Sequence, residues 1–154
     1  MNRAVDRGLP GDLLLVALGG AAGSLLRWAV AHVLPGAGVW HWPTFAVNVT
    51  GALLLGVLLE ALTRPGTEGR AAHTARLLLG TGVLGGFTTY STFAGELWEQ
   101  VRAGATGVAL GYAGLMLVSG LLAAAAGVLV GSRLRRRGPG APEDPRQGTP
   151  GPAQ

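Results

Sequence analysis

The stretch Gly85-Gly86-Phe87-Thr88-Thr89-Tyr90-Ser91-Thr92-Phe93 lies inside a charge-free run, Leu77 to Gly95, that is long enough to cross a bilayer. Two adjacent glycines and five hydroxyl-bearing residues disfavour a plain lipid-facing helix there. Glycine weakens a helix, and Ser and Thr side chains offer the backbone competing hydrogen bonds. Irregular backbone at membrane depth survives only where protein buries it or where it lines a wet cavity. Half-helices and freed carbonyls at such breaks are a recurrent way for membrane proteins to hold ions. The nonapeptide therefore reads as an ion site.

A membrane span needs about 20 mainly apolar residues. The 154-residue chain offers four such runs, at about 13–34, 44–62, 74–101 and 104–132. They predict an all-α membrane protein with four transmembrane helices, the third broken mid-membrane. Residues 13–134 form the channel-like domain. Residues 1–12 form a polar lead, and 135–154 form a basic, then Pro/Gly-rich tail expected to be disordered. The basic start and small residues at Ala21-Ala22-Gly23 imitate a secretory leader, but three further spans follow and Arg27 interrupts the first. The 27 glycines suit close helix packing in lipid, with Gly19-xxx-Gly23 and Gly107-xxx-Gly111 as candidate contact patterns. No cysteine is present, which excludes disulfides and thiolate chemistry. No internal repeat is visible, so any inverted pseudo-symmetry would need a second subunit.

The net charge is +4, and all twelve Lys/Arg residues are arginine. A basic soluble chain would suggest nucleic acid. Here the arginines flank the apolar runs, so they carry topology instead and no nucleic-acid partner is expected. With four spans, one side holds Arg3, Arg7, Arg64, Arg70, Arg76, Arg133, Arg135, Arg136, Arg137 and Arg146, and the other holds Arg102. This bias predicts both termini in the cytoplasm.

Several polar residues stand out within the spans. Arg27 is either an anion-attracting charge at a vestibule or a structural arginine capping carbonyls. Asn48, in Asn48-Val49-Thr50-Gly51, is either a donor to an anion or glue between helices. Tyr90 and Phe93 share a helical face, where ring edges can attract a small anion and where packing is the plainer role. Unwinding at Gly85 and Thr88 would expose carbonyls; two from each of two subunits would surround one small hard cation. Tyr112 favours pore lining and Ser119 structure. Glu96 is a vestibule or helix-end residue, more structural than proton-carrying. His32, His41 and His73 are too scattered for a zinc or iron site.

Gly23-xxx-Arg27, Asn48-Val49-Thr50-Gly51, the nonapeptide and Tyr112 together resemble the Fluc (CrcB) family of small bacterial fluoride channels, over about residues 13–132. The resemblance implies a bacterial cell (inner) membrane, crossed several times, and an antiparallel dimer of four-helix subunits with two fluoride pathways. It also implies a structural, non-transported Na+ at the dimer axis, held by the carbonyls of Gly85 and Thr88. The pathway residues carried over are Asn48, Tyr90, Phe93 and Tyr112. Two departures are evident: Tyr90 stands where the family usually has Phe, and below Tyr112 the last span continues with Met116 and Gly120.

The expected function is passive, fluoride-specific export that lowers cytoplasmic fluoride, with no enzyme activity. The arginine bias adds the expectation that the chain pairs with a separate, oppositely biased homologue. One alternative is a small proton-coupled multidrug exporter, which needs a carboxylate in the first span where this chain has Arg27. Another is a non-conducting membrane assembly protein, which leaves the nonapeptide unexplained.

Overall fold

A computed structural model describes residues 8–34, 40–63 and 69–136, and these are helical almost throughout. Helix α1 is Leu9–Val33 and α2 is Trp42–Leu62. Helix α3 is composite: α-helical over Arg70–Ala75, π-helical over Arg76–Leu84, and α-helical again over Gly85–Phe87. Helix α4 is Tyr90–Arg102 and α5 is Thr106–Arg136. The first, second and fourth expected spans thus correspond to α1, α2 and α5, with ends shifted by a few residues. The third is divided between α3 and α4. Residues 1–7 of the polar lead, the Pro35–Gly38 turn, the Pro65-Gly66 loop and residues 137–154 of the tail lie outside the described residues. Residues 9–12, expected in the polar lead, instead form the first turn of α1, and Arg135 and Arg136, expected in the tail, end α5.

Helix starts follow local chemistry. Pro10 and Pro43 occupy the first turns of α1 and α2, where a missing N–H is harmless. Thr89 caps α4, its Oγ1 accepting the Thr92 N–H at 3.2 Å. Gly104 supplies the left-handed turn (φ 77°) that sends the chain from α4 back along α5.

Among the described residues, three helices, Leu9–Val33, Trp42–Leu62 and Thr106–Arg135, are long and apolar enough to cross a membrane. Their surfaces agree: Leu110, Leu117 and Leu121 of α5 are exposed, as are Leu13, Leu25 and Leu26 of α1. Much of what is buried is small or polar, including Gly19, Gly23, Gly51, Gly56, Thr44, Glu96 and Gln100, beside a few larger apolar residues, Val47, Leu84, Phe93, Tyr112 and Met116. Helices are therefore brought together by close backbone approach and internal polar pairing rather than by a leucine core.

Two parallel pairs result. Helix α1 lies along α3, and α2 lies along α5. On the first seam, a Cβ added to Gly19 or Gly23 would collide with the backbone of Leu78 or Val83, and one on Gly82 would lie 2.9 Å from Gly19 Cα. On the second, Gly56 faces Ala124 and Gly127, and Gly131 faces Val57 and Ala61. The sequence pattern at Gly19 and Gly23 is thus a real contact. Gly107 and Gly111 are not one within this chain, since nothing lies near either. The contact between the pairs includes Gly51, whose missing Cβ leaves room for the Thr88 methyl.

The two ends differ in charge. The starts of α1 and α3 and the ends of α2 and α5 share one end, tied by His73 Nε2 to Asp12 Oδ2 at 3.3 Å and Arg135 to Glu60 at 3.1 Å. Arg70, Arg76 and Arg133 belong to it, whereas Arg102 is at the opposite end.

The glycine seam makes a paired prediction. Gly23→Ala forces a methyl into the Val83–Phe87 backbone and should destabilise the fold by about 1–3 kcal/mol, as overpacking does. Gly20→Ala, three residues earlier with open space at its Cβ, should be neutral or slightly stabilising. Thermal unfolding of the two variants in detergent checks the ordering.

Candidate functional site: the interruption between α3 and α4

Thr88 and Thr89 adopt extended backbone, with φ, ψ of −77°, 158° and −148°, 123°, between the helical residues Phe87 and Tyr90. The glycines Gly85 and Gly86 remain helical, so the backbone departs from the helix at the threonines. Gly86 serves packing instead: it abuts the Gly20 carbonyl of α1.

Asn48 of α2 holds the extended residues. Its Oδ1 accepts the Thr89 N–H at 2.8 Å, and its Nδ2 donates to the Thr89 carbonyl at 3.0 Å. The side-chain amide therefore pairs with Thr89 as a neighbouring strand would. The remaining Nδ2 contact is a weak one to Met116 Sδ at 3.9 Å. Thr88 Oγ1 folds back onto the Leu84 carbonyl at 3.0 Å. Thr89 Oγ1 caps α4 and also reaches Thr92 Oγ1 at 3.0 Å and Ser91 Oγ at 3.3 Å.

The consequence concerns acceptors. In a continuous helix the Thr89 N–H would close onto the Gly85 carbonyl, and the Thr92 N–H onto the Thr88 carbonyl. The first is taken by Asn48 and the second by the Thr89 hydroxyl. Gly85 and Thr88 thus lose their helical donors, and they are the two carbonyls singled out from the sequence.

A polar and aromatic cluster continues from this point. Phe93 is buried, and its ring meets Tyr112 edge-on at 5.5 Å and Tyr90 at 6.5 Å. Tyr112 is completely buried, and Trp40 packs perpendicular to it at 6.0 Å. The Tyr112 hydroxyl lies 3.0 Å from Glu96 Oε2 and 3.2 Å from the His41 carbonyl. Thr44 donates to the other Glu96 oxygen. Glu96 is thus a buried carboxylate gripped by two hydroxyls. Tyr90 is 81% exposed and reaches outward from this chain.

Arg27 belongs to a cavity of about 360 Å³ bounded by α1, α2 and α4. Pro43, Thr44, Thr89 and Thr92 line it as well, so a guanidinium and two of the hydroxyl-bearing residues of the interruption share one space. Ser119 makes no hydrogen bond to any member of the cluster. Asn48, Thr89, Phe93, Glu96 and Tyr112 come together; Arg27 shares its cavity with Thr89 of this group, and Tyr90 and Ser119 stand aside. Sequence reading missed Thr44. Its signal was its position four residues before Asn48, which places both on one face of α2.

Asn48→Ala removes the pairing to both backbone groups of Thr89. Losing partners for buried polar groups should destabilise by about 1–3 kcal/mol. Asn48→Asp keeps an acceptor for the Thr89 N–H and loses the donor, so it should be intermediate. Hydrogen exchange of the Thr89 amide should rank Ala fastest, Asp next and Asn slowest.

The family model described as CrcB-like protein, Camphor Resistance (CrcB), matches residues 14–128, which include every residue of this site. Among curated proteins, the chain is 42% identical over 136 residues to "Fluoride-specific ion channel FluC 2" of Nocardia farcinica, covering 86% of this chain and 90% of that one. It is 40% identical over 128 residues to "Fluoride-specific ion channel FluC 2" of Leifsonia xyli subsp. xyli, covering 82% and 88%. It is 41% identical over 125 residues to "Fluoride-specific ion channel FluC" of Caulobacter vibrioides, covering 79% and 96%. Matches of this extent on both sides, running through Arg27, Asn48, the interruption and Tyr112, place the chain in the CrcB family.

Proposed function

We infer that this chain is a subunit of a fluoride-specific ion channel, passively conducting fluoride out across the cell membrane. Family membership and the names of its relatives support the substrate. The observation that carries the mechanism is the diversion of the Thr89 and Thr92 N–H groups away from the Gly85 and Thr88 carbonyls. In this reading α3 and α4 form one crossing, the third of four, broken at membrane depth. Backbone there is tolerated because Asn48 and the threonine hydroxyls satisfy it.

The two carbonyls fit a small hard cation, since backbone oxygens at a helix break are typical Na+ ligands. Gly85 and Thr88 would hold a structural Na+ that is not transported, jointly with a second subunit in antiparallel orientation. When bound, that ion supplies a fixed positive charge beside the anion's route. The chain's own residues form the rest of the route. Arg27 raises the local concentration of anions in the cavity. The edges of Phe93 and Tyr112, joined by the outward-reaching Tyr90 where a second subunit would meet it, would present positive ring hydrogens to the anion. Asn48 keeps the interruption open. Selectivity over chloride follows from a path too narrow for a larger anion.

Of the alternatives, proton-coupled export needs a carboxylate within the first span. The carboxylate of α1 is Asp12, in the first turn and paired with His73.

Fluoride efflux from liposomes, read with a fluoride electrode, tests the reading. Flux should require Na+, exclude chloride, and fall roughly tenfold in Phe93→Ala, the rate equivalent of one lost ring contact. Thr88→Pro should abolish it. Fluoride flux indifferent to both substitutions and to Na+ would overturn the assignment.

The arginine asymmetry bears on the partner. A homodimer of opposed chains needs each copy to insert both ways, whereas the bias here favours one orientation. We propose an oppositely biased homologue as the second subunit. C-terminal topology reporters on the chain expressed alone should report cytoplasmic termini; a substantial periplasmic fraction restores the homodimer.

A further inference from the structure

We propose that the chain carries a binding site for an anionic phospholipid along the outer face of α3, with Arg70 as the headgroup ligand. Two grooves meet there. One, of about 630 Å³, runs from Arg70 and Thr74 to Leu78 and Leu79. The other, of about 380 Å³, continues between α2 and α3, walled by Leu54, Leu58 and Leu79. Leu79 lines both, so together they follow α3 from Arg70 to Leu84.

The chemistry changes along this length. At the deep end every lining residue is apolar. At the mouth the wall is formed by Arg70 and Thr74, and Arg70 is exposed. Among the described residues no carboxylate pairs with Arg70, in contrast to Arg135, which Glu60 neutralises. An arginine lays its methylene stem along apolar surface and presents the guanidinium at the water boundary. The groove therefore offers a cation at the interface and hydrocarbon below it, which is the complement of a phosphate ester on an acyl chain.

Dimensions and charge favour the same occupant. From Arg70 to Leu84 the helix advances about 20 Å. One leaflet contributes roughly half of a hydrocarbon core of about 30 Å, with the headgroup above it. The groove thus spans one leaflet. Arg70 also sits at the arginine-rich end of the molecule, the end that basic residues orient toward an anionic leaflet. A zwitterionic lipid would fill the apolar part while placing its own cation beside Arg70.

Native mass spectrometry of the purified full chain, titrated with dioleoylphosphatidylglycerol or dioleoylphosphatidylcholine, tests the site. Phosphatidylglycerol should be retained about fivefold better, the increment of one basic residue near a surface. Arg70→Gln should erase the preference, and Arg133→Gln, an exposed arginine at the same end, should keep it. Leu79→Trp should lower occupancy by both lipids. Equal retention of the two lipids, an Arg133→Gln effect as large as that of Arg70→Gln, or displacement by soluble glycerol phosphate would each overturn the proposal. A second copy covering the groove would overturn it too. The chain has no cysteine, so disulfide-linked dimers of Leu79→Cys in vesicles would reveal that outcome.

Discussion

The bidentate pairing between the Asn48 amide and the backbone of Thr89 is the interaction on which the rest of the site depends. An extended residue between two helices exposes an N–H and a carbonyl that water normally satisfies. In a low-dielectric setting each such group left alone costs several kcal/mol. Asn48 meets both with a side chain from another helix, so the interruption is fixed by tertiary structure rather than by local preference. The same pairing withdraws the donor that would rebuild the helix onto Gly85. A single amide thus stabilises the break and creates the exposed acceptor beside it.

That geometry requires α2 to lie very close to the interruption, and glycine supplies the closeness. Gly51, three residues after Asn48, gives the space that the Thr88 methyl occupies. Gly19 and Gly23 bring α1 onto α3 on the other side, against Leu78, Gly82, Val83 and Phe87, and Gly86 admits the Gly20 carbonyl. Thr88–Thr89 is therefore clamped between two backbone-close contacts. With few large side chains to relax, a methyl added on either seam is transmitted directly to the carbonyls of the site. The abundance of glycine is a requirement of positioning here, beyond its general role in helix association.

Much of this was legible in the sequence, for identifiable reasons. Long apolar runs have few alternatives to membrane helices, so α1, α2 and α5 appeared where expected. The nonapeptide announced an irregularity because hydroxyls and glycines together conflict with a lipid-facing helix. What the string of residues left open was which of them did which job. Gly85-Gly86 looked like the weak point, yet Gly86 serves to admit α1, and the threonines leave the helix. Asn48 was read as a donor to an anion or as glue, because its spacing to Thr89 is set only by the packing of α2. The π-helical stretch Arg76–Leu84 has no composition of its own that distinguishes it from an α-helix. The carbonyls of Gly85 and Thr88 were singled out from the sequence as those that unwinding would free, with Na+ implied only by the resemblance; that their helical donors are diverted needed coordinates.

The least expected element is the buried carboxylate of Glu96. A free carboxylate beside an anion route would repel the ion, and an uncompensated charge at this depth would be strongly unfavourable. The arrangement answers both problems with one device. Thr44 and Tyr112 aim their hydroxyls at Glu96, so the carboxylate is solvated from within the chain. Those hydroxyls are also the donors best placed to greet a small anion at this end of the aromatic cluster. They cannot serve two acceptors fully at once. In the proposed route, an anion arriving beside Tyr112 would compete with Glu96 for the same protons, and occupancy by one would raise the electrostatic penalty of the other. Such competition would hold an anion only weakly, which is what conduction requires: a site favourable enough to enter and easy enough to leave.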